Sequence, residues 1–258
     1  MRLLICLLFF TISFAQTFSS YDYVGSRATA MSGSVTSGPS GEWSIFHNPA
    51  QLSELSGLNI TSGFCQIYDL DFLSYSNFGL SYNSWGINFE NMTTKINDKT
   101  LSEESVLGIS KGIQLYKDRQ SVLQSGIRLN LYNYNLGKSA GLTGDGSLGI
   151  DIGSGNAQGV DMGFQGILNH KYYIGYYIQN VISYIDSPSL GSNLPQSFSI
   201  GLSYRPYEDL LTSLDINQLS GHMNSEVRFG IEYQIIESFT IRAGLQSNPN
   251  RFSGGFDI

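Results

Sequence analysis

The chain has 258 residues and a formal net charge of -7 at pH 7, and charged residues make up 14% of it. The negative charge argues against nucleic acid as a partner, because nucleic-acid binders present basic surfaces. The 29 Gly, 16 Tyr and 15 Phe favour strands joined by tight turns.

The first 15 residues predict a secretory signal peptide. A short positive start precedes an apolar run at 3–14, and Ala15 ends a small-residue cleavage site. No later segment approaches the roughly 18 to 20 apolar residues that a transmembrane helix needs. If the mature chain enters a membrane, it therefore does so as strands. Removal of the signal peptide takes Cys6 and leaves Cys65 alone, so we expect no internal disulfide.

The next segment, residues 16–56, differs from the rest of the chain. Small residues, glycines and serines dominate it, and no alternation of apolar and polar residues is visible. We expect this plug segment to pack inside or beneath the domain formed by residues 57–258.

From residue 57 onward the sequence alternates between apolar and polar residues, with turns rich in Gly, Asn, Asp and Ser. The clearest case is 225–235, where Val227 and Phe229 lie on one face and Arg228 and Glu232 on the other. A period of two is that of a strand with one oily and one wet face. Strands are predicted at 58–67, 72–83, 85–90, 105–116, 123–132, 162–168, 172–181, 198–205, 210–217, 225–235 and 239–246.

Three polar segments interrupt this pattern and are predicted as loops, at 91–104, 137–159 and 182–195. The second contains a short predicted strand at 148–152. The final segment, 251–258, has the pattern of the first half of a strand, and we expect one or two further strands to follow it.

Charges recur on the wet faces from strand to strand. A soluble β-sandwich would have to bury such a face or leave it to solvent, whereas a barrel lumen can hold the charges hydrated or paired. The sequence therefore predicts an all-β fold, a transmembrane antiparallel β-barrel of about 12 to 14 strands in the bacterial outer membrane. The alternative is a secreted β-sandwich. The lumen-facing candidates, which could pair across neighbouring strands, are Arg128, Asp215, Arg228, Glu232 and Arg242.

One residue breaks the oily face of its strand. Lys111 falls on the apolar side of 105–116, and a lysine at the centre of a bilayer would cost roughly 2 to 4 kcal/mol. We therefore expect Lys111 near a membrane interface, or a bulge that shifts the register.

No constellation with catalytic or metal-binding spacing is visible. His47, His170 and His222 lie far apart in predicted loops, and the Gly-Asp turn at 144–146 lacks the spaced carboxylates of a calcium loop. We predict no catalytic residue, no metal site and no cofactor, and hence a protein that is not an enzyme.

The most specific pattern lies at 24–55, where a Gly-x-Arg-Ala-x-x-Met-x-Gly stretch precedes Asn-Pro-Ala. In this pattern the sequence resembles the PorV/PorQ family of bacterial outer-membrane proteins and, more distantly, the FadL-type fatty acid transporters. It departs from the family at Ser32 and Gln51, where the family favours Gly. The matching residues are Gly25, Arg27, Ala28, Met31, Gly33, Asn48, Pro49, Ala50 and Leu52.

The PorV/PorQ resemblance implies a non-enzymatic accessory or shuttle component of type IX protein secretion. Its partners would be outer-membrane lipid, components of a secretion channel, and exported proteins that carry a C-terminal sorting domain. The more distant resemblance implies a FadL-like passive transporter of hydrophobic small molecules, with an apolar pocket lined by Phe46, Tyr173 and Tyr177. A plain structural barrel is the third alternative.

The plug motif has two possible roles, one structural and one gating. As a structural element, Asn48-Pro49-Ala50 is a turn whose Asn side chain bonds nearby backbone, and we favour this role. As a gating element, the plug moves to allow passage. The residues concerned are Gly25, Arg27, Gly33, Asn48, Pro49 and Ala50.

Overall fold

A computed structural model of the chain describes residues 21, 23–96, 99–139, 141–142, 148–186, 194–220 and 224–258. The predicted signal peptide at 1–15 lies outside the described residues. Within the described part, twelve antiparallel strands form one sheet, and each strand pairs with the next along the chain. None of the helices found in this part is long and apolar enough to cross a membrane. The predicted all-β antiparallel fold is confirmed, with a strand number inside the expected range.

The strands are β1 (Leu58–Gln66), β2 (Leu73–Tyr82), β3 (Trp85–Ile96), β4 (Lys99–Lys117), β5 (Ser121–Lys138), β6 (Asp151–Leu168), β7 (Tyr172–Ile185), β8 (Ser197–Tyr207), β9 (Leu210–Leu219), β10 (Glu226–Ile236), β11 (Phe239–Gln246) and β12 (Arg251–Asp257). A short helix, α1 (Ser26–Ala30), precedes them. Single turns of 3₁₀ helix lie at Glu42–Phe46, Pro49–Glu54 and Ile67–Asp69.

The two faces of the sheet have opposite chemistry. In β5, Leu129 and Leu131 are 53% and 52% exposed, whereas Arg128 and Asn130 between them are 4% and 3% exposed. An exposed belt of Leu, Ile, Phe and Tyr runs around the outside of the other strands in the same way. Such a belt suits lipid and not water, because soluble proteins rarely expose large contiguous apolar patches.

The connections between strands differ at the two ends of the sheet. At one end they are two or three residues long, at 83–84, 118–120, 169–171, 208–209 and 237–238. At the other end they include the longest ones, 139–150 and 186–196. Outer-membrane barrels keep short turns on the periplasmic side and longer loops outside. The end with the short turns is therefore the periplasmic end.

The predicted loop at 91–104 is wrong, and the predicted loops at 137–159 and 182–195 begin or end too far into the neighbouring strands. β3 continues to Ile96 and β4 begins at Lys99, so 91–104 belongs mostly to a hairpin. β6 begins at Asp151, and β7 runs on to Ile185. All three regions lie at the outer end of long strands. Beyond the membrane the outer face of a strand does not contact lipid and need not be apolar. Strands there pair without alternating apolar and polar residues, so the alternation pattern does not detect them.

Lys111 stays on the outer face of β4, opposite Trp85 in β3. Its Nζ lies 4.8 Å from the centroid of the Trp85 ring and donates a hydrogen bond to the carbonyl of Asn83 at 3.4 Å. Asn83 belongs to a periplasmic turn, so the ammonium reaches the edge of the apolar belt and avoids its centre.

The plug segment lies inside the curved sheet. Met31, Ala50 and Leu52 are fully buried. Val24, Ile45, Phe46 and Leu52 form an apolar core with residues of β2 and of the 67–69 turn. Because the plug carries this core, the inner face of the sheet can remain polar.

Glycines on the inner face let the plug approach the wall closely. A Cβ atom on Gly126 would lie 2.2 Å from the backbone of Pro49, and one on Gly175 would lie 2.2 Å from the carbonyl oxygen of Thr36. No larger residue fits at such distances. At further glycines around the sheet an added Cβ would also lie within 3 Å of a plug atom, at Gly79, Gly86, Gly112, Gly163, Gly201, Gly230 and Gly244.

Candidate functional site

A buried ion pair marks the centre of the lumen. Arg128 in β5 and Asp161 in β6 are direct cross-strand neighbours, and both guanidinium nitrogens Nε and Nη2 lie within 2.9 Å of Asp161 Oδ2. Asn130 donates to the same oxygen at 2.8 Å, and the Tyr177 hydroxyl donates at 3.0 Å. Arg128 Nη1 also donates to the carbonyl of Ile45 at 2.9 Å. The pair therefore holds the plug segment to the wall.

The wall bulges beside this ion pair. Val160 of β6 pairs with Ile182 of β7, whereas Met162 pairs with Ile178, so β7 carries two extra residues. Asn180 lies in this bulge with φ of 53° and donates its backbone N–H to Asp161 Oδ1 at 2.8 Å. A bulge re-aims backbone groups, and here it supplies a donor to the second oxygen of a buried carboxylate.

A second cluster of charges joins α1 to the last three strands. Glu232 in β10 and Arg242 in β11 are cross-strand neighbours, with Arg242 Nε 2.6 Å from Glu232 Oε2. Arg27 Nε approaches the same oxygen at 2.9 Å. Arg242 also pairs with Asp257 of β12. This cluster lies toward the periplasmic end and is partly open to solvent.

Two further lumen-facing candidates, Asp215 and Arg228, are aligned in register between β9 and β10. Asp215 Oδ2 accepts the backbone N–H of Thr36 at 2.8 Å, and Arg228 Nη2 lies 2.5 Å from Glu226. Asp215 is thus a wall residue that fixes the plug backbone.

The predicted plug motif is split between two places. Gly25 and Gly33, with φ of 90° and 77°, flank α1. A Cβ on Gly25 would lie 2.5 Å from the Trp43 ring, and one on Gly33 would lie 2.9 Å from Arg228 Nη1. Both positions therefore require glycine for conformation, and Gly25 requires it for space as well.

Asn48, Pro49 and Ala50 form a wedge against β5 and β6. Asn48 Nδ2 donates to the carbonyls of Thr36 at 3.0 Å and Phe164 at 3.3 Å, and its Oδ1 accepts from the N–H of Ala50 at 3.1 Å. Asn48 and Ala50 are fully buried. The side chain caps the following 3₁₀ turn and joins it to the wall, so this motif is a fixed point of the plug.

A cavity of about 90 Å³ lies between the plug segment and the wall. Polar groups dominate its surface, including both Arg128 and Glu90. The predicted ligand pocket was apolar, and this cavity is mainly polar. Phe46 and Tyr177 line it, but Tyr173 packs with Val122 and Ile167 near the periplasmic turns. The other polar lining residues are Thr36, His47, Asn48, Asn130, Gln179, Ser197, Ser199, Asn217 and Arg228.

An apolar cluster lies between this cavity and the outer rim. Its buried members are Tyr132, Tyr134, Ala157 and Leu194, and it is extended by Val106, Leu136 and Ile185. Tyr132 and Val106 also line the cavity. The buried apolar cluster thus continues directly into the polar cavity.

Sequence reasoning missed Asp161, the partner of Arg128. It lies between the predicted loop at 137–159 and the predicted strand at 162–168, because the Gly-rich stretch before it hides the first part of β6. Asp161 alternates with Gly163 and Gln165 along the strand, and this alternation could have assigned it to the polar inner face.

Among the described residues no group of three or more His, Cys, Asp or Glu could hold a metal ion. His222 and the 144–146 turn lie outside the described residues.

Comparisons with known proteins identify the fold. No family model matches the sequence, and no curated protein matches it significantly. Among solved structures, the chain is similar to the CymD monoaromatic hydrocarbon channel, with 14% identity, a TM-score of 0.58, and 92% of this chain and 89% of that chain covered. It is also similar to the Ralstonia pickettii toluene transporter TbuX, with 14% identity, a TM-score of 0.55, and 91% and 89% covered.

A mutant of the TodX monoaromatic hydrocarbon channel is similar at 13% identity, with a TM-score of 0.55 and 90% of this chain and 83% of that chain covered. Identities this low speak for the fold and leave the substrate open. Together with the apolar outer belt and the filled lumen, they show that the chain folds as a β-barrel of the bacterial outer membrane.

Proposed function

We propose that the protein is a FadL-like passive transporter of small, mainly hydrophobic molecules that carry a polar group. The observation that supports this function is the continuity between the apolar cluster around Tyr132 and Tyr134 and the polar cavity below it. An apolar solute that enters between these buried side chains gains about 25 cal/mol for each Å² of its apolar area that leaves water.

The cavity favours solutes with hydrogen-bonding groups. A pure hydrocarbon would displace water from polar lining side chains, such as Gln179, Ser197 and Asn217, without replacing its hydrogen bonds, and an unpaired buried polar group is costly. A hydroxyl or carboxyl group can replace them. The names of the similar channels mention monoaromatic hydrocarbons. The polar lining of this cavity favours aromatic compounds that carry a hydroxyl or carboxyl group.

The size of the cavity adds a requirement for motion. A cavity that holds benzene measures roughly 150 Å³, and this one measures about 90 Å³. A single ring with a polar substituent therefore enters only when the plug or the rim shifts.

Uptake by intact cells tests the function. Initial uptake of labelled benzyl alcohol and toluene would be measured in bacteria with and without the protein. We expect a several-fold gain for benzyl alcohol and a smaller one for toluene. Tyr134→Ser at the rim should reduce the gain, whereas Tyr233→Ser, on the outer face of β10, should leave it unchanged. Equal uptake with and without the protein would contradict the proposal.

As a second candidate we propose the accessory function in type IX secretion. It is favoured by the number of buried contacts between plug and wall, which suit a barrel that stays closed and binds other proteins. Its partners would be outer-membrane lipid, secretion-channel components and exported proteins with C-terminal sorting domains. Copurification from outer membranes followed by mass spectrometry tests this candidate, and recovery of lipid without secreted proteins would count against it.

A further inference from the structure

Glu90 lies on the cavity wall, and its hydrogen-bond partners are two neutral side chains. It belongs to β3 and lines the cavity of about 90 Å³. The Tyr75 hydroxyl donates to its Oε2 at 2.7 Å, and Asn88 Nδ2 donates to its Oε1 at 3.0 Å. None of the ion pairs found in the described part of the chain includes Glu90. Because a carboxylate offers about four acceptor positions, each of its oxygens can accept a further hydrogen bond.

Glu90 also ends an apolar row that crosses the inner wall. It pairs with Val106 of β4, which pairs in turn with Tyr132 of β5. The row continues to Ala157 of β6. These three partners belong to the apolar cluster at the edge of the cavity, and Val106 and Tyr132 line the cavity itself. Neighbouring strands lie about 4.8 Å apart, so an aromatic ring that packs on Val106 has Glu90 within reach of a short substituent.

The two arginines that line the cavity already have carboxylate partners. Arg128 Nε lies 2.9 Å from Asp161 Oδ2, and Arg228 Nη2 lies 2.5 Å from Glu226 Oε2. A solute carboxylate would have to compete with one of these ion pairs for a guanidinium group. Burial of a carboxylate without a counterion costs much more than burial of a neutral hydroxyl that forms a hydrogen bond.

We propose that Glu90 selects the solutes of this cavity: it accepts a hydrogen bond from the hydroxyl group of an aromatic solute whose ring packs against Val106 and Tyr132. This proposal rests on the transport function above and narrows its substrate class to hydroxyl-bearing aromatic compounds, with aromatic carboxylates excluded. A hydrogen bond to a carboxylate is roughly twice as strong as one between neutral groups. Toluene has no such hydrogen to donate and gains only the contact with the apolar row.

Equilibrium dialysis with the purified full-length protein in detergent tests this selection. Labelled benzyl alcohol, toluene and benzoate would each be dialysed against the protein and against the same detergent alone, so that partition into micelles is subtracted. We expect benzyl alcohol to bind several-fold more tightly than benzoate. Glu90→Gln should weaken the binding of benzyl alcohol several-fold, strengthen that of benzoate, and leave that of toluene unchanged.

Two further variants serve as control and as replacement. Glu103→Gln removes a carboxylate from an exposed position of β4 and should leave the binding of all three compounds unchanged. Glu90→Asp keeps the charge but draws the carboxylate back toward its strand, so benzyl alcohol should bind less tightly while benzoate stays excluded. Unfolding in urea establishes that each variant is folded, and Glu90→Asp replaces Glu90→Gln if the glutamine variant is not.

The proposal would be overturned if Glu90→Gln weakened the binding of benzyl alcohol and toluene in parallel, because Glu90 would then only maintain the shape of the cavity. Unchanged binding of benzyl alcohol in that variant would overturn it as well. So would benzoate that binds the unmodified protein as tightly as benzyl alcohol, or benzyl alcohol that does not bind it. Failure of the transport function is distinguishable, because cells would then show no uptake while the purified protein still binds benzyl alcohol through Glu90.

Discussion

Two charged clusters hold the plug to the wall, and they differ in exposure. The side chains of Arg128 and Asp161 are 5% and 0% exposed, and every carboxylate oxygen of Asp161 has a partner. In the other cluster Arg27 and Asp257 are 21% and 44% exposed. The first cluster is dry and fully satisfied, whereas water reaches the second.

This difference separates a permanent attachment from an adjustable one. Breaking a buried pair leaves an uncompensated charge in a low-dielectric site, whereas partly exposed pairs are weakened by water and by salt. Arg128 of the dry cluster lines the cavity of about 90 Å³, whereas Arg27 of the wet cluster lines a second cavity, of about 40 Å³, within the plug segment. The plug is thus held more firmly at the Arg128–Asp161 cluster than at the Arg27–Glu232 cluster.

Removal of the charge of Asp161 should have the largest effect. Asp161→Asn leaves Arg128 without its counterion in a buried site, so we expect a loss of about 3 to 5 kcal/mol in the free energy of unfolding. Urea unfolding of the barrel in lipid vesicles measures it. Asp209→Asn, in an exposed periplasmic turn, is the control and should change stability little. A loss in the free energy of unfolding of less than about 1 kcal/mol, as expected for an exposed ion pair, would show that water reaches the cluster.

A methyl group between plug and wall should have the next largest effect. The Cβ of Gly126→Ala would lie 2.2 Å from the backbone of Pro49, which has to move, and such overpacking costs about 1 to 3 kcal/mol. Gly166→Ala on the outer face has no atom within 4 Å of the added carbon and serves as the control. Urea unfolding compares the two. Equal stability of both variants would mean that the plug does not press on β5.

In the strands whose residues alternate between apolar and polar, the sequence predicted which side chains face the inside of the barrel. Alternation alone predicted an inner face for Arg128, Glu232 and Arg242, and the structure finds these side chains there. It could not predict the strands above the membrane, because beyond the lipid no oily face is required. Asp161 was missed because the predicted strand began only at residue 162, although β6 begins at Asp151 and the apolar Val160 and Met162 flank Asp161.

The course of the plug could not be predicted in the same way. Its contacts join residues far apart in the chain, such as Asn48 with Phe164, and no local period encodes them. The wall glycines carry part of this information. Taken alone, each of these glycines is an unfavourable residue for a strand. Only the closeness of the plug explains why glycine is needed at that position.

The smallest effect should come from the wet cluster. Glu232→Gln removes the shared partner of Arg27 and Arg242, but Arg242 keeps Asp257 and Arg27 remains open to water. We expect a loss of about 1 kcal/mol in the free energy of unfolding, which shrinks as salt is added. Glu237→Gln in the adjacent exposed turn is the control.

The salt titration separates the two clusters more sharply than the size of either loss. The loss in Glu232→Gln should decline with NaCl, because the pairs that it removes are already screened in the parent protein. The loss in Asp161→Asn should persist, since ions do not reach that site. If both losses declined in parallel, water would reach both clusters, and the plug would be equally adjustable at its two ends.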